Sequence, residues 1–153
     1  MKSYNAVIFN TESLYREEYF LIPKICIAAI KAFKYKSKTS FGNINIAREW
    51  NWCEEQVKFL FKFISKKPQD FILSNGKLFT AQKMLEYAFN YFGLKFKEYI
   101  FFQKKHLRKK DFKIKKSNFK SCLKRNNLSR KSNIFGKKLI EQIIKNKLYE
   151  TKY

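Results

Sequence analysis

The chain has 153 residues, which suits a single domain with one modest core, and its 45% hydrophobic content, with 17 Phe and 9 Tyr, excludes a disordered polymer. Its 4 Gly are too few and too scattered for a Gly-rich phosphate-binding loop. The net charge of +22 comes from 29 Lys and only 5 Arg, although base-reading and phosphate-clamping sites favour Arg.

Codons rich in A and T specify Lys, Asn, Ile, Phe and Tyr alike, so mutational drift is our main interpretation of the charge. A real anionic partner remains the alternative. Under either interpretation we expect non-specific binding to polyanions that weakens as salt increases.

Residues 6–10, Ala-Val-Ile-Phe-Asn, predict a short buried strand that ends in a polar residue, and residues 11–18 predict a charged loop. Pro23 suits the first turn of a following helix. A further short strand is predicted at 39–44. The apolar stripe expected on the helix consists of Ile25, Ala28, Ala29 and Phe33.

The pattern after Asn51 predicts the best specified helix. Asn51 can cap it, Glu54 completes a capping box three residues later, and Pro68 prevents its continuation. Its expected apolar face consists of Val57, Leu60, Phe61 and Ile64.

A second buried strand is predicted at 70–74, with Asn75 and Gly76 as its turn. Thr80 then caps a helix at 81–92, which Gly93 ends. Alternating strands and helices indicate an α/β layer with at least one right-handed crossover connection. Two such strands are too few for a complete doubly wound sheet, so we expect part of a larger fold.

The composition changes at residues 103–138, where 15 basic residues occur with a single acid, Asp111. Weak helices are predicted at 117–124 and 135–148. His106 and the aromatic residues of 91–102 are interpreted as surface and packing residues, respectively, although rings between lysines also occur in sites that stack single-stranded bases.

The cysteines, Cys26, Cys53 and Cys122, are widely spaced and form no metal-binding pair. Their odd number and the lack of a secretory leader predict a cytoplasmic protein. The apolar stretch 20–30 is broken by Pro23 and Lys24 and is about half the length of a membrane span, so we expect no membrane segment.

Several short segments, in order, resemble the GDP-mannose 4,6-dehydratase family of extended short-chain dehydrogenase/reductases. Residues 7–13 resemble the family's strand ending in Leu-Phe-Asn-His-Glu-Ser, and 41–43 with 48–50 resemble its Leu-Gly-Asn and Arg-Asp-Trp. Residues 68–76 resemble Pro-Asp-Asp-Phe-Val-Ile-Ala-Thr-Gly, and 80–89 have the pattern of the helix after it.

The resemblance implies a partial Rossmann-type α/β fold: the C-terminal, substrate-binding region of such an enzyme, with few strands and several helices. It divides the chain into residues 1–102, part of the dehydratase-like domain, and a basic helical tail, 103–153, of the same domain. In the complete enzyme NADP takes a hydride from C4 of the mannose, water leaves across C5 and C6, and the hydride returns at C6.

Within these 153 residues we find neither the family's Gly-rich dinucleotide turn nor its Tyr-x-x-x-Lys pair at the matching place, so no catalytic residue is assigned. We expect a truncated, split or decayed gene product that is inactive alone. NADP and a GDP-mannose-like nucleotide-sugar are the implied cofactor and ligand.

The resemblance also implies particular binding residues. Arg16 matches a cofactor-phosphate contact, and Asn10, Lys24, Arg48 and Arg108 match positions near the nucleotide-sugar. Each of these residues also has a competing structural role. Arg16 could be a solvated loop arginine, Asn10 a turn residue, and Lys24 a lysine on the helix surface. Arg48 could form an ion pair with a nearby glutamate, and Arg108 could match by chance within a basic run.

Two other functions remain open at this point. One is a basic nucleic-acid-binding module centred on 103–138, which predicts preference for sequence or structure in moderate salt. The other is a complementing subunit that docks on a separately encoded Rossmann half, or a homo-oligomer.

Overall fold

The computed structural model describes residues 3–64, 68–103 and 112–150, in which short strands alternate with helices. The strands are β1 (Ala6–Ile8), β2 (Thr11–Glu12), β3 (Thr39–Phe41), β4 (Ala47–Arg48), β5 (Asn51–Trp52), β6 (Phe71–Leu73), β7 (Phe79–Thr80) and β8 (Ile100–Phe102). The helices are α1 (Leu21–Tyr35), α2 (Cys53–Ile64), α3 (Ala81–Asn90), α4 (Phe96–Tyr99), α5 (Phe119–Arg125) and α6 (Gly136–Glu150).

Strands β1 and β6 form the predicted parallel pair, with Ala6 opposite Phe71 and Ile8 opposite Leu73. The expectation that both strands are buried is right for β6 and wrong for β1, since Val7 and Ile8 are exposed. Among the described residues β6 is the only strand beside β1, so β1 is an edge strand with an open side.

The larger core lies between α1, α3 and α6. Pro23 is in the first turn of α1 as predicted, and Ile25, Ala28 and Ala29 are buried. Phe33 departs from the predicted stripe: half of its side chain is exposed, and its ring stacks on Phe92 with 4.8 Å between centroids. Other fully buried side chains in this core are Ile22, Met84, Leu85, Leu139, Ile140, Ile143 and Ile144.

Two predictions about α2 are wrong. Asn51 does not cap the helix, because it lies in β5 and the helix begins at Cys53. The buried face of α2 consists of Gln56, Phe59 and Phe63, whereas the predicted Val57, Phe61 and Ile64 are exposed. Leu60 is the residue of the predicted face that is half-buried and packs against Phe59 and its neighbours. Apolar residues occupy so many consecutive positions of this helix that the 3.6-residue period fits two faces.

Packing decides between the two faces of α2. The ring of Phe63 stacks on Phe71 of β6 at 3.7 Å, and Phe59 meets Phe119 of α5 edge to face at 5.9 Å. These side chains, with Leu73 and Cys122, form a second hydrophobic cluster apart from the larger core.

The signals around α3 are confirmed. The Thr80 hydroxyl oxygen accepts a hydrogen bond from the Lys83 N–H at 3.1 Å, as an N-cap does. Gly76 and Gly93 have φ of +67° and +69°, which suits the turn after β6 and the end of the α3 region. The two weak helices predicted near the C-terminus correspond to α5 and α6.

Two further strand pairs lie near the helices. Strand β3 is shorter than predicted and pairs in parallel with β8, and β4 pairs antiparallel with β7. Helix α6 packs against α1 and α3, so the C-terminal part of the chain contributes to the larger core. In the part of the chain that the structure describes, no helix has the length and apolar character needed to cross a bilayer.

Candidate functional site

Asn10 follows the carboxyl end of β1, where parallel α/β sheets commonly bind ligands. Its backbone carbonyl accepts hydrogen bonds from the Asn51 N–H at 2.8 Å and from Asn51 Nδ2 at 2.9 Å. Asn51 is fully buried, whereas the side chain of Asn10 is exposed. The backbone at this point is therefore fixed, and the amide of Asn10 faces solvent.

Thr11 and Glu12 extend the contact between the segment after β1 and the segment around Asn51. Thr11 pairs with Asn51 and Glu12 with Trp52 in the parallel β2–β5 pair. This pairing brings the segment after β1 against the segment that contains Arg48, Glu49 and Trp50, although the two are about forty residues apart in sequence.

Arg16 lies four residues after Glu12 and forms an ion pair with it, with 3.8 Å between Arg16 Nε and Glu12 Oε2. The Arg16 guanidinium carbon lies 3.5 Å from the centroid of the Phe20 ring. Burial raises the pKa of the Glu12 carboxyl to about 7, and the positive charge of Arg16 offsets only part of that effect. Within the described residues, neither Glu12 Oε2 nor Arg16 Nε makes a hydrogen bond.

Lys24 is half-buried on α1, and its backbone N–H donates to the Phe20 carbonyl at 2.9 Å. Its ammonium nitrogen lies 4.9 Å from the centroid of the Phe41 ring in β3. Lys24 is therefore near the start of α1, and its side chain extends toward β3.

Arg48 is almost completely buried in β4. Its Nη1 donates to the carbonyls of Ala47 at 2.7 Å and Lys113 at 3.3 Å. The backbone reinforces this contact, because the Ala47 N–H donates to the Lys113 carbonyl and the Lys115 N–H donates to the Ala47 carbonyl. One guanidinium nitrogen of Arg48 thus helps to attach residues 113–115 to β4.

Glu49 is the most completely hydrogen-bonded carboxylate near the site. Ser117 donates to it through its backbone N–H at 2.8 Å and its hydroxyl at 2.5 Å, and the Ser74 hydroxyl donates through a short hydrogen bond. Glu49 is fully buried. The sequence analysis did not single out Ser74 or Ser117, since a serine before a helix or after a strand usually indicates only a cap or turn.

Arg130 holds a second group of half-buried contacts that could not be found from the sequence. Its Nη1 donates to Gln56 Oε1 and to the Ser74 carbonyl, both at 2.8 Å, and its guanidinium carbon lies 4.9 Å from the Phe59 ring centroid. Burial lowers the pKa of Arg130, and nearby Glu55 opposes that shift. Beside Arg130 a groove of about 540 Å³ opens between α2 and residues 129–134.

The predicted site residues are thus only partly brought together. Asn10 and Arg16 belong to one segment, which β2 and β5 attach to the stretch that contains Arg48. Lys24 lies beside β3, and Arg108 falls outside the described residues. Within the described residues no group of three or more His, Cys, Asp or Glu side chains is placed to hold a metal ion.

Sequence comparison identifies relatives over most of the chain. The family model described as GDP-mannose 4,6 dehydratase matches residues 1–136. GDP-mannose 4,6 dehydratase 1 of Arabidopsis thaliana is 29% identical over 107 residues, which are 68% of this chain and 29% of that protein. The GDP-mannose 4,6-dehydratase of Sinorhizobium fredii (strain HH103) is 29% identical over 96 residues, 61% of this chain and 27% of that protein.

Solved structures share the fold. dTDP-glucose 4,6-dehydratase from Bacillus anthracis, in complex with NAD, superposes with a TM-score of 0.78 at 11% identity, over 98% of this chain and 46% of that one. RMD from Pseudomonas aeruginosa, complexed with NADPH, superposes with a TM-score of 0.78 at 14% identity, over 98% of this chain and 49% of that one. The predicted Rossmann-type extended short-chain dehydrogenase/reductase fold is confirmed.

The chain spans less than a third of the length of the curated relatives described above and about half of the solved ones. Because the family model covers well over half of the 153 residues, the resemblance seen in the short segments is confirmed. The chain belongs to the GDP-mannose 4,6-dehydratase family.

Proposed function

We propose that this chain holds a GDP-mannose-like nucleotide-sugar and contacts the phosphate of NADP, as the binding portion of a dehydratase that these 153 residues do not complete. The main support for this proposal is the β2–β5 pairing, which attaches the segment of Asn10 and Arg16 to that of Arg48. The exposed amide of Asn10 then follows the carboxyl end of a strand in a parallel pair, where α/β folds bind ligands, and Arg16 lies farther along the same segment.

The choice of ligand comes from the relatives. The curated proteins matched by this chain are named GDP-mannose 4,6-dehydratases. Their identity to this chain is below one third, and the solved neighbours include enzymes of other nucleotide-sugars, such as MoeE5 in complex with UDP-glucuronic acid and NAD. A diphosphate-bearing sugar is therefore the substrate class, with GDP-mannose as the first ligand to test.

The residues present fit a nicotinamide dinucleotide only in part. Arg16 suits a phosphate contact, because its Nε has no hydrogen-bond partner among the described residues and its guanidinium lies over the Phe20 ring. The glycines at 42, 76, 93 and 136 cannot form the Gly-rich turn that cradles a pyrophosphate. We therefore assign a contact to this chain and no chemical step.

We propose different roles for the two parts of the chain. Residues 1–102 carry the binding positions just described, and residues 103–153 form a basic tail of the same domain that supports them through contacts such as Ser117 with Glu49. Arg108 belongs to this tail and is proposed as a further diphosphate contact.

Ligand binding can be measured directly. We expect titration calorimetry to detect GDP-mannose binding to the 153-residue chain, and we expect Arg48→Lys to weaken it by about 10-fold, since lysine cannot replace forked guanidinium donors. Arg125→Lys, at the exposed end of α5, is the matched control and should bind as the wild type does. Equal affinity in all three proteins would refute the role of Arg48.

A second candidate function is a complementing subunit that docks on a separately made Rossmann half. The open side of β1 supports it, because Val7 and Ile8 are exposed there and the edge offers unpaired backbone groups to another strand. Co-expression with a polypeptide that contains a Gly-rich strand–turn–helix and Tyr-x-x-x-Lys should then restore dehydratase activity. Failure of the two polypeptides to copurify would refute this candidate.

A further inference from the structure

The groove beside Arg130 lies apart from the residues proposed to hold the nucleotide-sugar. Its two walls are helix α2 and the segment 129–134, and its volume is about 540 Å³. Asn10, Arg16, Lys24 and Arg48 do not line it. Pockets for small molecules usually have volumes of about 300–1,000 Å³, so this groove, which we call the α2 groove, is large enough for one.

Hydrogen bonds attach the two walls of the α2 groove to each other. Glu55 Oε1, on α2, accepts from the backbone N–H groups of Asn133 at 2.8 Å and Ile134 at 3.1 Å. Arg130 Nη1 donates to Gln56 Oε1 of α2 at 2.8 Å. The groove is therefore part of the folded structure and not a gap between independent segments.

Both walls of the α2 groove contribute positive charge. The lining cations are Lys58 and Lys62 on α2 and Arg130 and Lys131 on the opposite segment. Lys58 and Lys62 are four residues apart and so lie on one side of the helix. Two carboxylates, those of Glu54 and Glu55, also line the groove. Four cations and two carboxylates leave a net charge of +2.

Arg130 places part of this charge away from solvent. Its guanidinium is half-buried and lies near the rings of Phe59 and Phe119, with 4.9 Å and 5.6 Å to their centroids. Its buried Nη2 makes no hydrogen bond within the described residues. The carboxylate of Glu55, which acts on Arg130 electrostatically, already accepts the two backbone N–H groups of the segment. Because a charge in a low-dielectric setting acts strongly on its surroundings, Arg130 should attract an anion into the groove without touching it.

The charge and the lining together indicate the kind of anion. A phosphate monoester carries about two negative charges near neutral pH and has three acceptor oxygens, so it can meet cations on two walls at once. The groove is larger than a phosphate group alone, and its lining also includes the apolar side chains of Trp52 and Ile134. A phosphate on a small organic body matches both features.

We propose that the α2 groove binds a phosphorylated small molecule, with the phosphate among the lysines of the two walls and the organic part against the apolar lining. The inference does not depend on the nucleotide-sugar proposal, because the two sites use different residues. The whole chain is rich in lysine, so the test compares the groove with exposed lysines elsewhere.

The experiment titrates the full 153-residue chain with phenyl phosphate and follows the ³¹P resonance by NMR. The double substitution Lys62→Gln with Lys131→Gln removes one cation from each wall. The control, Lys31→Gln with Lys38→Gln, removes two exposed cations that do not line the groove. Glu54→Gln removes a negative charge from the groove, and its control is Glu98→Gln, which changes an exposed carboxylate outside it.

We expect the Lys62/Lys131 pair to weaken phenyl phosphate binding by about 10-fold and the Lys31/Lys38 pair by less than about 2-fold. Glu54→Gln should tighten binding by about 3-fold, and Glu98→Gln should leave it unchanged. Inorganic phosphate should bind more weakly than phenyl phosphate, because it makes no contact with the apolar lining.

Three results would each overturn the proposal: equal losses from the two lysine pairs, unchanged affinity in Glu54→Gln, or equal affinity for inorganic and phenyl phosphate. Circular dichroism on every variant verifies that its helices are intact. Calorimetry with GDP-mannose separates the two sites, since the Lys62/Lys131 pair should bind the nucleotide-sugar as the wild type does. A parallel loss of both ligands in that variant would contradict a separate site.

Discussion

Glu49 accepts hydrogen bonds from both the backbone N–H and the hydroxyl of Ser117, which lies 68 residues later in the chain. The Ser74 hydroxyl donates to the same carboxylate from the end of β6. One buried carboxylate thus connects the β4–β5 region, the end of the second strand of the parallel pair and Ser117 of the basic tail. It stabilises the arrangement in which the proposed ligand-binding residues lie.

Replacement of Glu49 by alanine should lower the free energy of unfolding by about 3 kcal/mol, because it leaves the buried Ser74 hydroxyl and the two half-buried Ser117 donors without this acceptor. Urea unfolding followed by circular dichroism measures this change. Glu54→Ala is the matched control: Glu54 is exposed, and we expect its loss to change stability by less than about 0.5 kcal/mol. Similar stability of the two variants would show that the Glu49 hydrogen bonds do not stabilise the fold.

Glu12 should make stability depend on pH near neutrality. Burial raises the pKa of its carboxyl from 4.5 to about 7, so the folded chain holds this proton more tightly than the unfolded chain does. The stabilising contribution of the protonated form is present below pH 4.5 and is lost as the pH rises to 7 and beyond. At pH 8 the loss amounts to as much as about 3 kcal/mol.

Glu12→Gln removes this titration and should therefore be more stable than the wild type at pH 8, with the difference shrinking toward pH 5. Thermal unfolding of both proteins across this range measures the effect. Glu17→Gln, an exposed change in the same segment, is the control and should show no such divergence. A stability difference that stays constant with pH would contradict the assigned pKa.

Gly136 should not tolerate a side chain. Its φ is +53°, and an added Cβ would lie 2.7 Å from Cζ of Phe79. We expect Gly136→Ala to destabilise the chain by about 2 kcal/mol, through both the left-handed backbone and the clash. Adding Phe79→Leu should recover part of the loss, because the ring is then absent. Additive effects of the two substitutions would contradict the proposed contact.

Much of the local structure could be predicted from the sequence. The Thr80 cap and Pro23 in the first turn of α1 follow from short-range signals that the structure keeps. The parallel pairing of β1 with β6 follows from the alternation of strands and helices along the chain. The face of α2 could not be predicted, because the helix carries more apolar residues than one face can bury. Its contacts with Phe71 and Phe119 make that choice, and those residues are distant in sequence.

The candidate site was predictable to a smaller extent. Asn10, Arg16 and Arg48 were found through family resemblance, whereas the parts played by Asn51, Ser117 and Arg130 depend on side chains that meet only in the folded chain. Their residue types fit caps, turns and charged surfaces equally well. Such contacts leave no periodic signal in a single sequence.

The sharpest test of the proposed binding role is an assay of GDP-mannose turnover with NADP by the purified 153-residue chain. We expect the nucleotide-sugar to bind and no 4-keto-6-deoxy product to form, because the chain contributes binding contacts without a dinucleotide cradle. Steady product formation by the pure polypeptide would refute this role.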